Sequence, residues 1–172
     1  ALESRSLPMG RDADALNLVA GQLERVAAAR GTLVLTPHPG EAARLLGTTP
    51  LDVQAHRVDS ARTLAHRTRA VVVLKGARSL VAAPDGRVAV NPTGNAGMAT
   101  AGTGDVLCGM VGALLAQGLA PFDAACVATF VHGQAGDRAR ARVGTISLVA
   151  GDLLGLLGET FAVLETMSPL SF

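Results

Sequence analysis

Asp105 sits in the run Gly94 to Gly109, GNAGMATAGTGDVLCG, where five glycines fall among small residues just before a strongly apolar segment. Such a loop leaves little side chain between its backbone and a ligand. Its N–H groups, with the unpaired donors at the start of a following helix, can cradle phosphate oxygens. Asp105 then falls in the first helical turn, where the dipole and exposed amides favour an ionised carboxylate. A carboxylate beside an anion hole can take the proton from a substrate hydroxyl while the loop stabilises charge on a transferring phosphoryl group. Phosphorylation of an alcohol is the chemistry these residues suggest. A capped helix and tight turns alone would need only one or two glycines. Here small residues dominate over sixteen positions.

The familiar nucleotide fingerprints do not fit. Gly97 to Gly102 gives the GxxxxG spacing, but Thr103 and Gly104 stand where a Walker A loop requires Lys followed by Ser or Thr. Gly102-Thr103-Gly104 begins like a dinucleotide fingerprint, yet Leu107 occupies the place of its third glycine.

Two other segments carry candidate side chains. In Thr36 to Glu41, TPHPGE, the prolines flanking His38 hold it extended at the C-terminal end of a strand, where ligands bind in open α/β sheets. Lys75-Gly76-Ala77-Arg78-Ser79 also follows a strand, so Lys75 and the Gly76 backbone are expected to project toward a phosphate held by the glycine loop. Taken singly, each segment also fits an exposed turn.

The elements that must position these groups read as α/β. Leu33 to Thr36 and Val71 to Leu74 are short strand-like runs flanked by helix-compatible stretches, the alternation expected of a parallel, helix-covered sheet. Between them, Leu51 to Arg69 places Val53, Val58, Ala61, Leu64 and Ala65 at helical spacing, with Arg and His on other faces. Ser79 to Ala83 and Arg87 to Val90 around Pro84-Asp85-Gly86 read as a β-hairpin. Helices are expected over Asp105 to Gln117, Phe122 to Ala139 and Ser147 to Gly158. No repeat, low-complexity stretch or linker divides the chain, so a single unit over residues 1–172 is expected.

Composition removes several classes of function. Fifteen basic and fourteen acidic side chains are scattered along the chain and leave a formal charge of +1, so no footprint for nucleic acid is visible. Aromatic content is 2%, without Trp or Tyr, and a nucleotide base must therefore lie on aliphatic groups. The most apolar stretch, Val106 to Ala120, carries three glycines and Gln117 and is shorter than the roughly 20 residues that span a bilayer. Glu3, Arg5 and Arg11 interrupt any signal-peptide core near the beginning. Cys108 and Cys126 lack metal or disulfide spacing and read as buried thiols in a reducing cytoplasm.

DADALN at Asp12 to Asn17, TPHPGE, KGARS, NAGMATAGTGDVLCG at Asn95 to Gly109 and HGQAGD at His132 to Asp137 together resemble the NAD(P)H-hydrate dehydratase family, in order and in spacing. The resemblance implies a ribokinase-like three-layer α/β/α fold with a mostly parallel sheet. It also implies ADP or ATP as co-substrate and a small-molecule substrate in hydrated NADH or NADPH; the chemistry implies Mg²⁺ on the phosphates, and no dedicated metal-ligand set is visible in the sequence. By matching position, Asp105 would be the base and a substrate contact, and His38 a second substrate contact. Lys75, Gly76, Ala77, Arg78 and Ser79, with Gly102, Thr103 and Gly104, would bind the nucleotide, and Asn95 and Glu41 would support the site.

This sequence departs from the family pattern in two ways. It is expected to lack the N-terminal part of the domain, which would leave a sheet edge and apolar helix faces to be covered by that missing portion or by another copy of the chain. Leu7-Pro8-Met9-Gly10-Arg11 stands in place of an apolar strand before DADALN, so that strand is expected to be frayed or absent. A ribokinase-like kinase for a vitamin precursor or sugar would share the anion hole and the aspartate. A non-catalytic nucleotide-binding module would share the loop alone.

Overall fold

The computed structural model describes residues 9–11, 23–28, 31 and 33–167; DADALN lies outside them. Five strands form one sheet in the order of the chain: β1 (Met9–Arg11), β2 (Leu33–Leu35), β3 (Val71–Leu74), β4 (Leu80–Ala82) and β5 (Val88–Val90). β1 and β3 flank β2 in parallel, and β3, β4 and β5 continue as an antiparallel meander. The strand before DADALN is thus formed, contrary to the expectation. Met9, Gly10 and Arg11 pair with Leu33, Val34 and Leu35. A formed neighbour on one side gives even this glycine-containing run a ladder to join.

Strands β2, β3 and β4 are buried on both faces, which is why they read as continuous Val/Leu runs. Alternation divides their side chains between two cores. Leu33, Leu35, Val72 and Leu74 face a layer built by helices α1 (Leu23–Ala27), α2 (Pro39–Leu46), α3 (Pro50–Ala55) and α4 (Arg57–Thr68), meeting Val26, Leu45, Val53 and Leu64. Val34, Val71, Val73 and Val81 face α5 (Thr103–Ala116) and α6 (Pro121–Val143), meeting Leu107, Val111, Ala128 and Val131. Helix α7 (Ala150–Met167) packs outside α6 through Leu153 and Leu156 on Ala135 and Ala139. The result is the three-layer α/β/α arrangement.

The expected helix over Leu51 to Arg69 is two helices. His56 leaves helical geometry (φ −127°, ψ 49°) and serves as the C-cap of α3 and the N-cap of α4. The interruption rephases the helix face, so Val58, expected in the apolar stripe, is exposed while Ala61, Leu64 and Ala65 are buried. The last two helices both run beyond their expected ends, through Val143 and Met167, because Gly158 is tolerated within α7 and the stop after α6 comes at Gly144. Cys108 and Cys126, expected to be buried, are half-buried, and neither is in a disulfide. Cys126 lies beside the β4–β5 hairpin on the wall of a shallow cleft rather than in the core. No helix among the described residues is long and apolar enough to cross a membrane.

Candidate active site

The TPHPGE and KGARS segments meet at the C-terminal ends of β2 and β3. The Lys75 N–H donates to the Pro37 carbonyl at 2.8 Å, tying the two crossings together. His38 is extended, as its prolines dictate, and caps α2. Its Nδ1 accepts from the Gly40 and Glu41 amides at 3.0 and 3.3 Å, while the Glu41 carboxylate accepts from the His38 N–H at 2.7 Å. This reciprocal pair is a capping box with histidine in the place usually held by Ser or Thr. Accepting at Nδ1 leaves the ring proton of neutral His38 on Nε2. Glu41 is buried beneath the half-exposed imidazole, so its role is to fix the turn.

KGARS crosses from β3 to β4. Gly76 adopts φ +135° and Arg78 φ +53°, and the Ser79 hydroxyl donates back to the Gly76 carbonyl at 3.2 Å. A residue outside the motif holds this turn from below. The Arg57 guanidinium of α4 donates to the Leu74 carbonyl at 3.1 Å and to the Lys75 carbonyl at 3.4 Å. It also fills the space a Cβ on Gly76 would need. Its desolvation by burial lowers its pKa. Read from sequence, Arg57 belongs to a solvated helix face; only the return of β3 beside α4 gives it a structural task.

The glycine loop divides into two halves. In the first, four amides are already bonded to protein: Gly94 N–H donates to the Asp137 carboxylate at 2.9 Å and Gly97 N–H to Asn95 Oδ1 at 3.0 Å. Met98 and Ala99 close a 3₁₀ turn over Ala96–Met98 on the carbonyls of Asn95 and Ala96. The expectation that backbone from Asn95 onward offers its amides to phosphate is therefore corrected for Gly97, Met98 and Ala99. These small residues are needed for close packing instead.

The second half is open. Gly102 turns into α5 at φ +86° with no side-chain cap, and the first helical bond runs from Val106 N–H to the Gly102 carbonyl at 3.1 Å. The amides of Thr103, Gly104 and Asp105 precede that bond and meet no acceptor among the described residues. They carry the positive end of the helix dipole. Asp105 is exposed on this turn, and its carboxylate makes no hydrogen bond or ion pair among the described residues. Open amides and an unengaged carboxylate thus lie side by side.

Helix α6 forms the floor under both halves through HGQAGD. The buried His132 places Nε2 2.8 Å from the Thr103 carbonyl, so Nε2 carries the proton and donates. Burial pushes the pKa of His132 down, the hydrogen bond to Thr103 opposes that shift, and the nearby Lys75 ammonium adds to it. At Gly133 a Cβ would overlap Thr93, and at Gly136 it would overlap the Met98 side chain. Asp137 receives Gly94 N–H on one oxygen and Asn95 Nδ2 on the other, at 2.9 and 3.0 Å. The sequence displays HGQAGD as a motif, but no periodicity or composition assigns its residues to a loop some forty positions away.

Two clefts, of about 230 and 170 Å³, lie along the β4–β5 hairpin and the start of α6, and none of the candidate catalytic or nucleotide-binding residues lines either one. Among the described residues, no three His, Cys, Asp or Glu side chains gather as a metal site.

With this geometry in hand, residues 2–157 match the family model described as NAD(P)H-hydrate dehydratase. The chain belongs to the NAD(P)H-hydrate dehydratase family. It is 50% identical over 159 residues to the bifunctional NAD(P)H-hydrate repair enzyme of Moorella thermoacetica, covering 92% of this chain and 30% of that protein. It is 49% identical over 154 residues to the ADP-dependent (S)-NAD(P)H-hydrate dehydratase of Neisseria meningitidis, covering 88% of this chain and 52% of that one. Among solved structures, the ADP/ATP-dependent NAD(P)H-hydrate dehydratase of Bacillus subtilis, co-crystallised with ATP and Mg²⁺, superposes with a TM-score of 0.86 at 33% identity. That match covers 94% of this chain and 57% of the Bacillus chain. Hydroxyethylthiazole kinase of Pyrococcus horikoshii, at 20% identity and a TM-score of 0.69, shares the fold. The chain spans about half, or less, of the length of these family members.

Proposed function

We propose that this chain forms the catalytic portion of an enzyme that dehydrates hydrated NADH or NADPH at the expense of ADP or ATP, acting as a carbon–oxygen lyase in cofactor repair. The observation that carries the reading is the Asp105 carboxylate, exposed on the first turn of α5 beside the open amides of Thr103, Gly104 and Asp105. The family relationship makes the hydrated dihydronicotinamide the substrate of choice.

In this scheme Asp105 takes the proton from the hydroxyl of the hydrate as that oxygen attacks the terminal phosphorus of the nucleotide. The bond from phosphorus to the leaving nucleotide breaks, and the open amides stabilise charge on the transferring group. The C–O bond of the resulting phosphoester then breaks, driven by the lone pair of the ring nitrogen, and inorganic phosphate departs. Loss of a ring proton restores the dihydronicotinamide double bond.

Lys75, with Gly76, Ala77, Arg78 and Ser79, would flank the nucleotide on one side, with Gly102, Thr103 and Gly104 on the other, while His38, whose Nε2 lies 3.5 Å from Glu41 Oε1, would meet the dinucleotide through its half-exposed imidazole. Asn95 and Glu41 support the site from within the fold. The open donors of this site suit phosphates carrying their own Mg²⁺, which would neutralise part of their charge. The working unit is a small-molecule enzyme of the cytoplasm. It is completed by the remainder of the domain or by another copy, consistent with the exposed Ile146, Val149 and Leu154 around α7.

The test is incubation of the intact protein with ATP, Mg²⁺ and hydrated NADPH. Recovery of dihydronicotinamide absorbance supports the reading. A stable phosphoester of a different alcohol, with no recovery, would assign the protein to the small-molecule kinases instead.

A further inference from the structure

We infer that Asp137 is a positioning residue for the phosphoryl-transfer site: its carboxylate sets the conformation of the glycine loop and, through it, the aim of the first turn of α5. The inference rests on the proposed function and adds to it a residue that never touches the reacting atoms.

An unbroken chain of contacts joins Asp137 to the start of α5. Asp137 projects from α6 and accepts from Gly94 N–H at 2.9 Å and from Asn95 Nδ2 at 3.0 Å. With its amide nitrogen committed, Asn95 must turn Oδ1 toward Gly97 N–H, at 3.0 Å, which starts the 3₁₀ turn over Ala96–Met98. That turn aims the Met98 carbonyl at the Thr103 hydroxyl, 2.8 Å away, with the Thr100 carbonyl at 2.9 Å as a second acceptor. Thr103 is the first residue of α5, and Gly104 and Asp105 follow it. The same stripe of α6 carries Gly136, whose missing Cβ makes room for Met98. A carboxylate has two acceptor oxygens and no donor, so it can satisfy both Gly94 N–H and Asn95 Nδ2 without leaving a polar mismatch.

That polarity supplies the test. In Asp137→Asn, the new side-chain oxygen can still accept from Gly94 N–H, but its NH₂ then faces the NH₂ of Asn95. Flipping Asn95 only moves the donor–donor clash to Gly97. In Asn95→Asp, two carboxylates face each other across the contact. The double variant Asn95→Asp/Asp137→Asn restores every bond with reversed polarity: Asp at 95 accepts from Gly97 N–H and from the Asn at 137, which accepts from Gly94 N–H.

ATP affinity, and kcat and KM for ATP with hydrated NADPH, would be measured for the intact protein and all three variants, with folding of each checked by thermal melting. The expectation is a loss of ATP affinity of about 10-fold or more in each single variant, with kcat lowered further by misplacement of Asp105, up to about 100-fold. The double variant should recover most of both. Single variants that melt earlier but keep ATP affinity and kcat would overturn the inference, leaving Asp137 a purely structural residue. A folded double variant as poor as the single variants would also overturn it. If either single variant fails to fold, the double variant alone decides between recovery and loss. Absence of ATP binding and turnover in the unsubstituted protein would instead count against the proposed function itself, and is distinguishable because no substitution is involved.

Discussion

His132 on α6 donates from Nε2 to the Thr103 carbonyl, 2.8 Å away, joining the middle of one buried helix to the first residue of another. The Thr103 carbonyl stands at the turn that carries the open amides and Asp105, so the aim of that turn depends on an imidazole read from sequence only as part of a motif.

This bond should make stability depend on pH. Burial, aided by Lys75, lowers the pKa of folded His132 below the ordinary 6.5. Between the folded and unfolded values the unfolded chain holds the proton and the folded one does not, so stability falls as pH drops through that window and levels off below it. His132→Gln retains an N–H donor but does not titrate there. Melting midpoints from pH 7.5 to 5 should therefore fall more steeply for the parent than for the variant, and parallel curves would contradict the assignment.

The two glycines of HGQAGD should differ in tolerance. A Cβ at Gly133 meets the Thr93 backbone carbonyl carbon at 2.8 Å as well as its side chain, whereas the atoms nearest a Cβ at Gly136 all belong to the Met98 side chain, which can swing aside. Gly133→Ala is expected to cost about 1–3 kcal/mol, as overpacking typically does, and Gly136→Ala less. Urea denaturation of both variants checks the order.

His38 combines a structural and a proposed binding role that one pair of substitutions can separate. His38→Ala removes the N-cap of α2 and should cost about 1 kcal/mol, within the usual range for lost caps. His38→Asn keeps a cap acceptor and should melt near the parent. If Nε2 reaches the dinucleotide, the Asn variant should nonetheless raise KM for the hydrate. An unchanged KM would confine His38 to capping.

The elements legible in the sequence were those whose signal is local. β2 and β3 announce themselves as Val/Leu runs because both faces are covered, and Pro84-Asp85-Gly86 marks the β4–β5 turn. The break at His56 is silent, since Val53, Ala61 and Leu64 keep helical spacing on either side of it. β1 leaves little trace in its own three residues because its order comes from pairing with β2.

The site divides the same way. Asp105 and the glycines after Thr100 stand where a helix N-terminus places them, a relation of neighbours in sequence. The tasks of Arg57, His132 and Asp137 are set by carbonyls and amides 17 to 43 positions away. Bonds of that reach are products of the tertiary fold and leave no periodic trace. For the same reason the glycine run read as one uniform cradle, although Gly94 and Gly97 have their amides engaged by Asp137 and Asn95.

The most direct measurement is single-turnover dehydration of hydrated NADPH by Asp105→Asn, with ATP affinity determined on the same material. Removing only the base should slow turnover by about 10²- to 10⁴-fold while ATP binds essentially as in the parent protein. Turnover within a few-fold of the parent would contradict the claim that the carboxylate at the start of α5 takes the substrate's proton.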